Sequence, residues 1–527
     1  MSNEKGSKIN HLVGIILYIG IFTYFITSLV SLILHFSDLK VHGFILNLFA
    51  LLFETLGPLY AVYFMIQLID GILNVGEISY NIDKMTEFPK VTVIVPIHNV
   101  NPAVLRDTLL GFKNQDYPNF ELWVGDDSTD VKLREECEKI TKETGFIYFY
   151  RENDRFKAHM VNMILEQPQV KESKYVAFFD VDHIPEPNIL KKFVAILEEH
   201  PEFVFVQGKF GFRNAKNYLH VWEAMSLTQM FASQNARRKT GNVLFCGSTA
   251  CFRRDILKGL PEGTLTEDYD LTIRLASEGY RGYWLDEISS MSLVPENIGH
   301  QMSQLNRWMT GQAGALSDHV GKLFRSKMTF KQAIDFVVSS TVVLVATSFY
   351  FLGIFYALIY AFKIPIYRAL GLDAFSLVIM PILTFIIYIS TLTATTIYTA
   401  KSGTYPLRWW HVPFFLAFGG MTAPFLVFPV IKGLFRKNKI VPGKTKWNKQ
   451  VPLIPLSIFF SLLGMVFIGL TTSSVLDFLS ITNWYGYNYF FILFGVIGIT
   501  LVFAFPFIVI SKMMFKSQHY EEVMIYH

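Results

Sequence analysis

The residues able to do chemistry cluster in three places: Asp180-Val181-Asp182, Thr266-Glu267-Asp268 and Gln304-Leu305-Asn306-Arg307-Trp308. Pro295 marks a break, and from about Ile298 to His319 the sequence predicts a helix, so Gln304, Arg307 and Trp308 stand at i, i+3 and i+4 on one face. That face offers an amide, a planar guanidinium able to grip two phosphate oxygens, and a flat aromatic on which a sugar ring can stack. Together they suit a sugar attached to a diphosphate. An ordinary amphipathic helix with a buried Trp and a solvated Arg has the same pattern.

Asp180 and Asp182 flank one residue after an apolar run, so in extended backbone both carboxylates point the same way. Paired carboxylates are hard ligands for Mg²⁺ or Mn²⁺, whose shell substrate phosphates complete. Such an ion would neutralise charge on a diphosphate leaving group, and His183 could join it if the metal is Mn²⁺. The same D-x-D also occurs in surface turns. Thr266 followed by two acids suits a helix N-cap, which accounts for the Thr and one acid. The other, Asp268, reads as a general base that takes a proton from an acceptor hydroxyl. Asp126 and Asp127 can hydrogen-bond the base and ribose of a nucleoside, and Lys157 can reach a base or a phosphate. Phe245-Cys246-Gly247-Ser248 reads as a strand with a close backbone approach at Gly247, bordering an acceptor or simply bulged inside a core.

The elements that would position these residues alternate strand and helix. Strands are predicted at Val91–Pro96, Phe120–Val124, Phe146–Tyr150 and Tyr175–Phe179, with helices from Pro102 to Asn114, around Glu135-Glu136-Cys137, and through Lys157–Asn162. That order argues for an α/β domain with a mostly parallel sheet. Ligands of such sheets bind beyond the carboxyl ends of the strands, where Asp126, Asp127, Asp180 and Asp182 fall.

Of the 527 residues, 51% are hydrophobic and only 17% charged, against about a quarter charged in soluble domains. The deficit lies in the flanks, since residues 78–330 have the ordinary globular mixture. The expectation is a multi-spanning α-helical membrane protein with an inserted cytoplasmic α/β domain. Spans are predicted at 11–34, 43–69, 334–361, 375–400, 451–472 and 486–510. Residues 409–433 are apolar enough to cross but precede a strongly basic loop, so they are read as interfacial or re-entrant. The division is 1–77 as an N-terminal membrane region, 78–300 as the catalytic domain, 301–333 as interfacial helices, and 334–527 as a C-terminal membrane region. Both termini are expected in the cytoplasm, and the N-terminal run is a retained anchor, being too long for a signal peptide. A net charge of +4 gives no reason to expect nucleic acid, and three cysteines without ligand spacing suit a reducing compartment.

In order, V-I-V-P-I-H-N, G-D-D-S, K-A-x-x-x-N, D-V-D-H, F-C-G-S, T-E-D and Q-x-x-R-W resemble the membrane-integrated family 2 glycosyltransferases: cellulose, hyaluronan and chitin synthases and related glucan and mannan synthases. The resemblance runs over residues 91–308. It implies a GT-A fold, a UDP-sugar donor, most simply UDP-glucose, a Mg²⁺ or Mn²⁺ ion, and inverting displacement at the anomeric carbon. Asp126, Asp127 and Lys157 would bind the nucleotide, Asp180 and Asp182 the donor and metal, and Asp268 would be the base. Glu267, Cys246 and Gly247 would line the substrate, Gln304 and Arg307 would hold the diphosphate, and Trp308 would support the acceptor. Residues 434–450 occupy the place of a gating loop but depart from its F-x-V-T-x-K pattern, and Leu305 replaces one cation of the Q-R-x-R-W form. The implied activity is polymerisation of a β-linked polysaccharide and its passage across the plasma membrane, with lipids and the growing chain as partners. No cyclic-di-GMP-binding domain is expected after the last span. Addition of one sugar to a lipid, and a transporter with a nucleotide-sensing domain, are the rival readings.

Overall fold

The structure, a computed structural model, describes residues 2–152, 157–214, 218–295, 298–368, 411–435, 453–479 and 490–503, with isolated positions between 386 and 397 and at 506. The chain opens with two helices, α1 (Ser2–Leu34) and α2 (Phe36–Ile72). On α1, Leu12, Ile16, Ile19, Phe22 and Ile26 are each more than half exposed. Such a continuous apolar surface, disfavoured in water by roughly 25 cal/mol per Å², suits lipid. Polar side chains face the partner helix instead: Tyr24 donates to Glu54 at 2.8 Å and Asn10 to Asp70 at 3.1 Å. The first turn of α2 is offset from the rest at Lys40, whose φ is 53°.

The α/β domain begins with β1 (Val91–Ile97), α3 (Pro102–Lys113), β2 (Phe120–Asp126), α4 (Val131–Glu143) and β3 (Ile147–Tyr150). It continues with α5 (Lys157–Leu165), α6 (Pro168–Lys171), β4 (Tyr175–Phe178), β5 (Ile184–Pro185) and α7 (Ile189–Glu199). Then come β6 (Phe203–Phe212), α8 (Tyr218–Arg237), β7 (Ala250–Arg253), α9 (Glu267–Ser277) and β8 (Arg281–Ser292). The eight strands form one sheet in the order β3-β2-β1-β4-β7-β6-β8-β5. β3, β2, β1 and β4 are parallel, and β7 runs against both of its neighbours. Both faces are covered, so the strands are apolar on both sides. Val91, Val93 and Val95 pack with Leu105, Leu109, Phe193 and Val194 of α3 and α7, while Ile94, Trp123 and Phe178 belong to a second core that reaches Leu352 and Tyr356 among the apolar helices.

The remaining described elements are α10 (Ile298–Leu323), α11 (Phe330–Ser340), α12 (Val343–Ala361), α13 (His411–Phe435), α14 (Leu453–Leu479) and α15 (Phe490–Val502). Among the described residues, three helices are long and apolar enough to cross a membrane, within 4–34, 36–72 and 454–476. The stretch expected as one span over 334–361 is instead two helices, broken after Ser340. Ser340 and Thr341 both bond back to carbonyls one turn earlier, at 2.8 and 2.6 Å, a pattern that bends helices. α13 runs through Pro424 and Pro429 and docks on α10, where Ser317 donates to the Leu434 carbonyl at 2.8 Å. The expected span at 375–400, apart from isolated positions, and the loop at 436–450 lie outside the described residues.

Candidate active site

One ammonium group joins four motifs that are far apart in the sequence. Lys157, the first residue of α5, donates to Asp180 Oδ1 at 2.7 Å and to the Gly247 carbonyl at 3.2 Å, and its Nζ lies 3.8 Å from Glu267 Oε1. The Asp180 N–H in turn donates to Ser248 Oγ at 2.8 Å. The strand ends, the loop before β7 and the first turn of α9 therefore meet at one point. Although burial opposes it, Asp180 and Glu267 hold Lys157 firmly protonated. Burial also pushes the Asp180 carboxyl up, but Lys157, His183 and Arg307 outweigh it and keep the group below the usual carboxylate range.

Phe245–Ser248 is a loop rather than a strand, because β7 starts only at Ala250. A loop this deeply placed needs partners for its peptide groups, and two buried glutamines supply them. Gln207 accepts from the Cys246 N–H at 2.9 Å and donates to the Ser248 carbonyl at 2.9 Å. Gln234 accepts from the Leu244 N–H at 2.9 Å and donates to the Leu244 carbonyl at 2.8 Å and Cys246 Sγ at 3.4 Å. Gly247 has φ +80°, and a Cβ there would stand 3.1 Å from Asp268 Oδ2. Only glycine meets both conditions without cost.

Asp268 sits in the first turn of α9, where its Oδ1 accepts from the Tyr269 N–H at 2.7 Å. Burial raises its carboxyl pKa most, and the neighbouring Glu267 adds to the rise. The Tyr269 N–H, Lys157 and Arg307 pull the other way, and the net result is a group pushed up to about 7. A carboxyl that titrates near neutrality is matched to proton transfer. Thr266 stands at the N-cap of α9 without capping it, and its buried Oγ1 has no partner among the described residues. Gly311 of α10 explains the close fit, since a Cβ there would overlap the Thr266 side chain. This approach brings the helix carrying Gln304, Arg307 and Trp308 beside the first turn of α9. Arg307 is exposed, and its charge reaches both Asp180 and Asp268. Trp308 is half-buried on the same helix, and the Gln304 Oε1 is buried without a partner among the described residues.

Asp126 and Asp127 form a second polar knot at the end of β2. Asp126 is fully buried, accepting from the Ser128 N–H at 2.7 Å and the Tyr148 hydroxyl at 2.7 Å, so both of its oxygens hold the turn. Asp127 lies 2.9 Å from His98 Nδ1 and 3.4 Å from Arg151 Nη2. Asp182 accepts from the Leu293 N–H at 3.2 Å. The His183 ring is near enough to Asp180 to act on its carboxyl, while its Nδ1 lies 2.9 Å from Thr249 Oγ1 and 3.1 Å from Ser290 Oγ. Among the described residues no three His, Cys, Asp or Glu side chains are arranged to hold a metal. Asp180 and Asp182 nevertheless offer hard oxygen donors, the kind of set Mg²⁺ or Mn²⁺ uses when substrate phosphates complete its shell.

Residues 89–311 match the family described as glycosyltransferase like family 2. Glucomannan 4-beta-mannosyltransferase 7 of Arabidopsis thaliana is 28% identical over 257 residues, covering 46% of this chain and 46% of that protein. The cellulose synthase catalytic subunit (UDP-forming) of Pseudomonas fluorescens is 27% identical over 238 residues, 43% of this chain and 31% of that one. The chain spans about half the length of the curated relatives it matches. A Pyrobaculum calidifontis mannosyltransferase solved with GDP-Man and Mn²⁺ aligns at TM-score 0.47 and 18% identity, over 74% of this chain and 99% of that one. The strand-and-helix order of the domain and the family match agree with the GT-A fold that the motifs implied. Residues 89–311 are thus a glycosyltransferase family 2 domain, homologous to plant glucomannan synthases and to a bacterial cellulose synthase catalytic subunit.

Proposed function

We propose that the protein is a processive, inverting glycosyltransferase that builds a β-linked glucan or mannan from a nucleotide-sugar donor and passes it across the plasma membrane. The observation that carries this reading is the junction at Lys157, which places the Asp180 end of β4 beside the T-E-D turn and its near-neutral Asp268. In the reaction the acceptor hydroxyl oxygen bonds to the anomeric carbon as its proton passes to the Asp268 carboxylate, and the nucleoside diphosphate departs with the bonding electrons. Attack opposite the leaving group inverts the configuration. Arg307 and Lys157 carry positive charge toward the departing diphosphate, worth most where water is excluded. A Mg²⁺ or Mn²⁺ ion held by Asp180 and Asp182 would supply Lewis-acid neutralisation of the same charge. Gln304 and Trp308 would position the diphosphate and the acceptor sugar, with Cys246 and Gly247 at the acceptor edge and Asp127 near the nucleoside. UDP-glucose is the donor the resemblance favours. The long apolar helices beside the domain support membrane integration, with the catalytic domain and both termini cytoplasmic.

The test is purified protein in lipid with Mg²⁺ or Mn²⁺ and a panel of UDP- and GDP-sugars, following nucleotide release and product length. One donor should be consumed and a long polymer should appear. A singly glycosylated lipid would replace polymer synthesis by the lipid-directed reaction, and silence with every donor would overturn the enzyme reading.

A further inference from the structure

Tyr269, the residue after the proposed base, has two attachments that leave opposite sides of it. Its backbone N–H donates to Asp268 Oδ1 at 2.7 Å. Its side chain, 3% exposed, points to α11, where the hydroxyl lies 2.7 Å from Ser340 Oγ and donates to the Phe336 carbonyl at 3.1 Å. The ring packs edge-on against Phe336 at 5.9 Å, inside a small core shared by α9, α10 and α11.

α11 is itself fixed from two other directions. Asp335 accepts from Arg237 Nε at 2.7 Å and Nη2 at 3.0 Å, from Asn242 Nδ2 at 2.7 Å, from Gln67 Nε2 at 2.7 Å, and from the Tyr63 hydroxyl. Tyr60 and Thr341 hydroxyls meet at 2.6 Å. Tyr60, Tyr63 and Gln67 lie on α2, one of the helices long and apolar enough to cross a membrane, and Asn242 begins the loop that carries Cys246 and Gly247. One short helix therefore holds an apolar helix, the acceptor-side loop and the turn bearing Asp268 in a single frame.

We propose that Tyr269 is a positioning residue: its hydroxyl, gripped by Ser340 and the Phe336 carbonyl, ties the Asp268 carboxylate to α11 and hence to the membrane helices. The inference rests on the reading of Asp268 as the base. The anchor sets where the first turn of α9 stands, so the Tyr269 N–H reaches the carboxylate and the acceptor-side oxygen faces the Gly247 edge. The charged or titratable groups facing Asp268 are Glu267 from its own helix, Lys157 from α5, Arg307 from α10 and the Cys246 thiol from the loop. Losing the N–H bond leaves the first of these to raise the carboxyl further.

The experiment uses the full chain in lipid, measuring nucleotide release with the donor found above, for wild type, Tyr269→Phe, Ser340→Ala, the double variant and Asp268→Asn. Tyr269→Phe keeps the ring packing and should lower kcat about tenfold with donor KM within about twofold, as expected when only transition-state alignment is lost. Its acidic limb should move to higher pH. Ser340→Ala should shift both quantities in the same direction, and the double variant should be no worse than Tyr269→Phe, because both remove one interaction. An unchanged kcat and limb in folded Tyr269→Phe, with Asp268→Asn inactive, would overturn the positioning role alone. If Tyr269→Phe does not fold, an unchanged limb in Ser340→Ala overturns it equally. Activity retained in Asp268→Asn would remove the base and this inference together.

Discussion

Asp268 and Asp335 are carboxyls in two adjoining regions, the candidate active site and the junction with the apolar helices, and their surroundings differ in kind. Asp335 is 5% exposed and accepts from Arg237, Asn242, Gln67 and Tyr63. Burial pushes its carboxyl up, yet Arg237 and these donors hold it below the ordinary range. Asp268 receives the Tyr269 N–H, faces Glu267, and is pushed up to about 7. The hydrogen-bond shell is full at Asp335, where elements must stay together, and sparser at Asp268, as the proposed role of a base requires.

The contrast predicts that the same Asp→Asn change acts differently at the two positions. Asp268→Asn should cut nucleotide release by roughly 10²- to 10⁴-fold, the usual contribution of a general base. Its melting temperature should not fall above neutral pH. A carboxyl whose folded pKa is raised adds its relative stability below the unfolded value and loses it as pH rises through the folded one, so near pH 8 the ionised wild-type group is a liability. Asp335→Asn should instead lower thermal stability, by roughly 3–5 kcal/mol, because Arg237 is left buried without its counter-charge. Equal losses of stability in both variants would erase the distinction. Arg307→Lys, which gives up a planar fork for a point charge, should raise donor KM about tenfold while leaving the fold intact. An unchanged KM would detach α10 from the diphosphate. The smallest effect is expected of Gly311→Ala, whose Cβ meets Thr266 and should cost about 1–3 kcal/mol of packing, visible as a few-fold loss of rate with α10 displaced.

The parallel strands were legible because each is a short β-branched or aromatic run: Val91–Pro96 was expected and Val91–Ile97 is found. β6 and β8 were not foreseen, since Gln207, Gly208 and Lys209 interrupt one and a charged, serine-rich sequence fills the other. Their pairing rests on tertiary register with two shifts near Lys209, which local pattern does not encode. The motif acids were visible by type, but the residues that place them were not. Gln207, Gln234 and Tyr269 act through contacts 39, 12 and 71 positions away, and only a polar Gln directly after the apolar run Phe203–Val206 hinted at the first. His183 was read with the two aspartates from adjacency; its ring acts on the Asp180 carboxyl, while its Nδ1 is held near Thr249 and Ser290, partners 66 and 107 positions away.

The most direct test of the account is the pH dependence of kcat for nucleotide release at saturating donor. With Asp268 as a base that must be ionised, the rate should fall about tenfold per pH unit below an apparent pKa near 7, and the limb should move higher in Arg307→Met, which removes a charge holding that carboxyl down. A rate that stays level from pH 8 to about 5 would contradict it, for then no group near neutrality takes the proton.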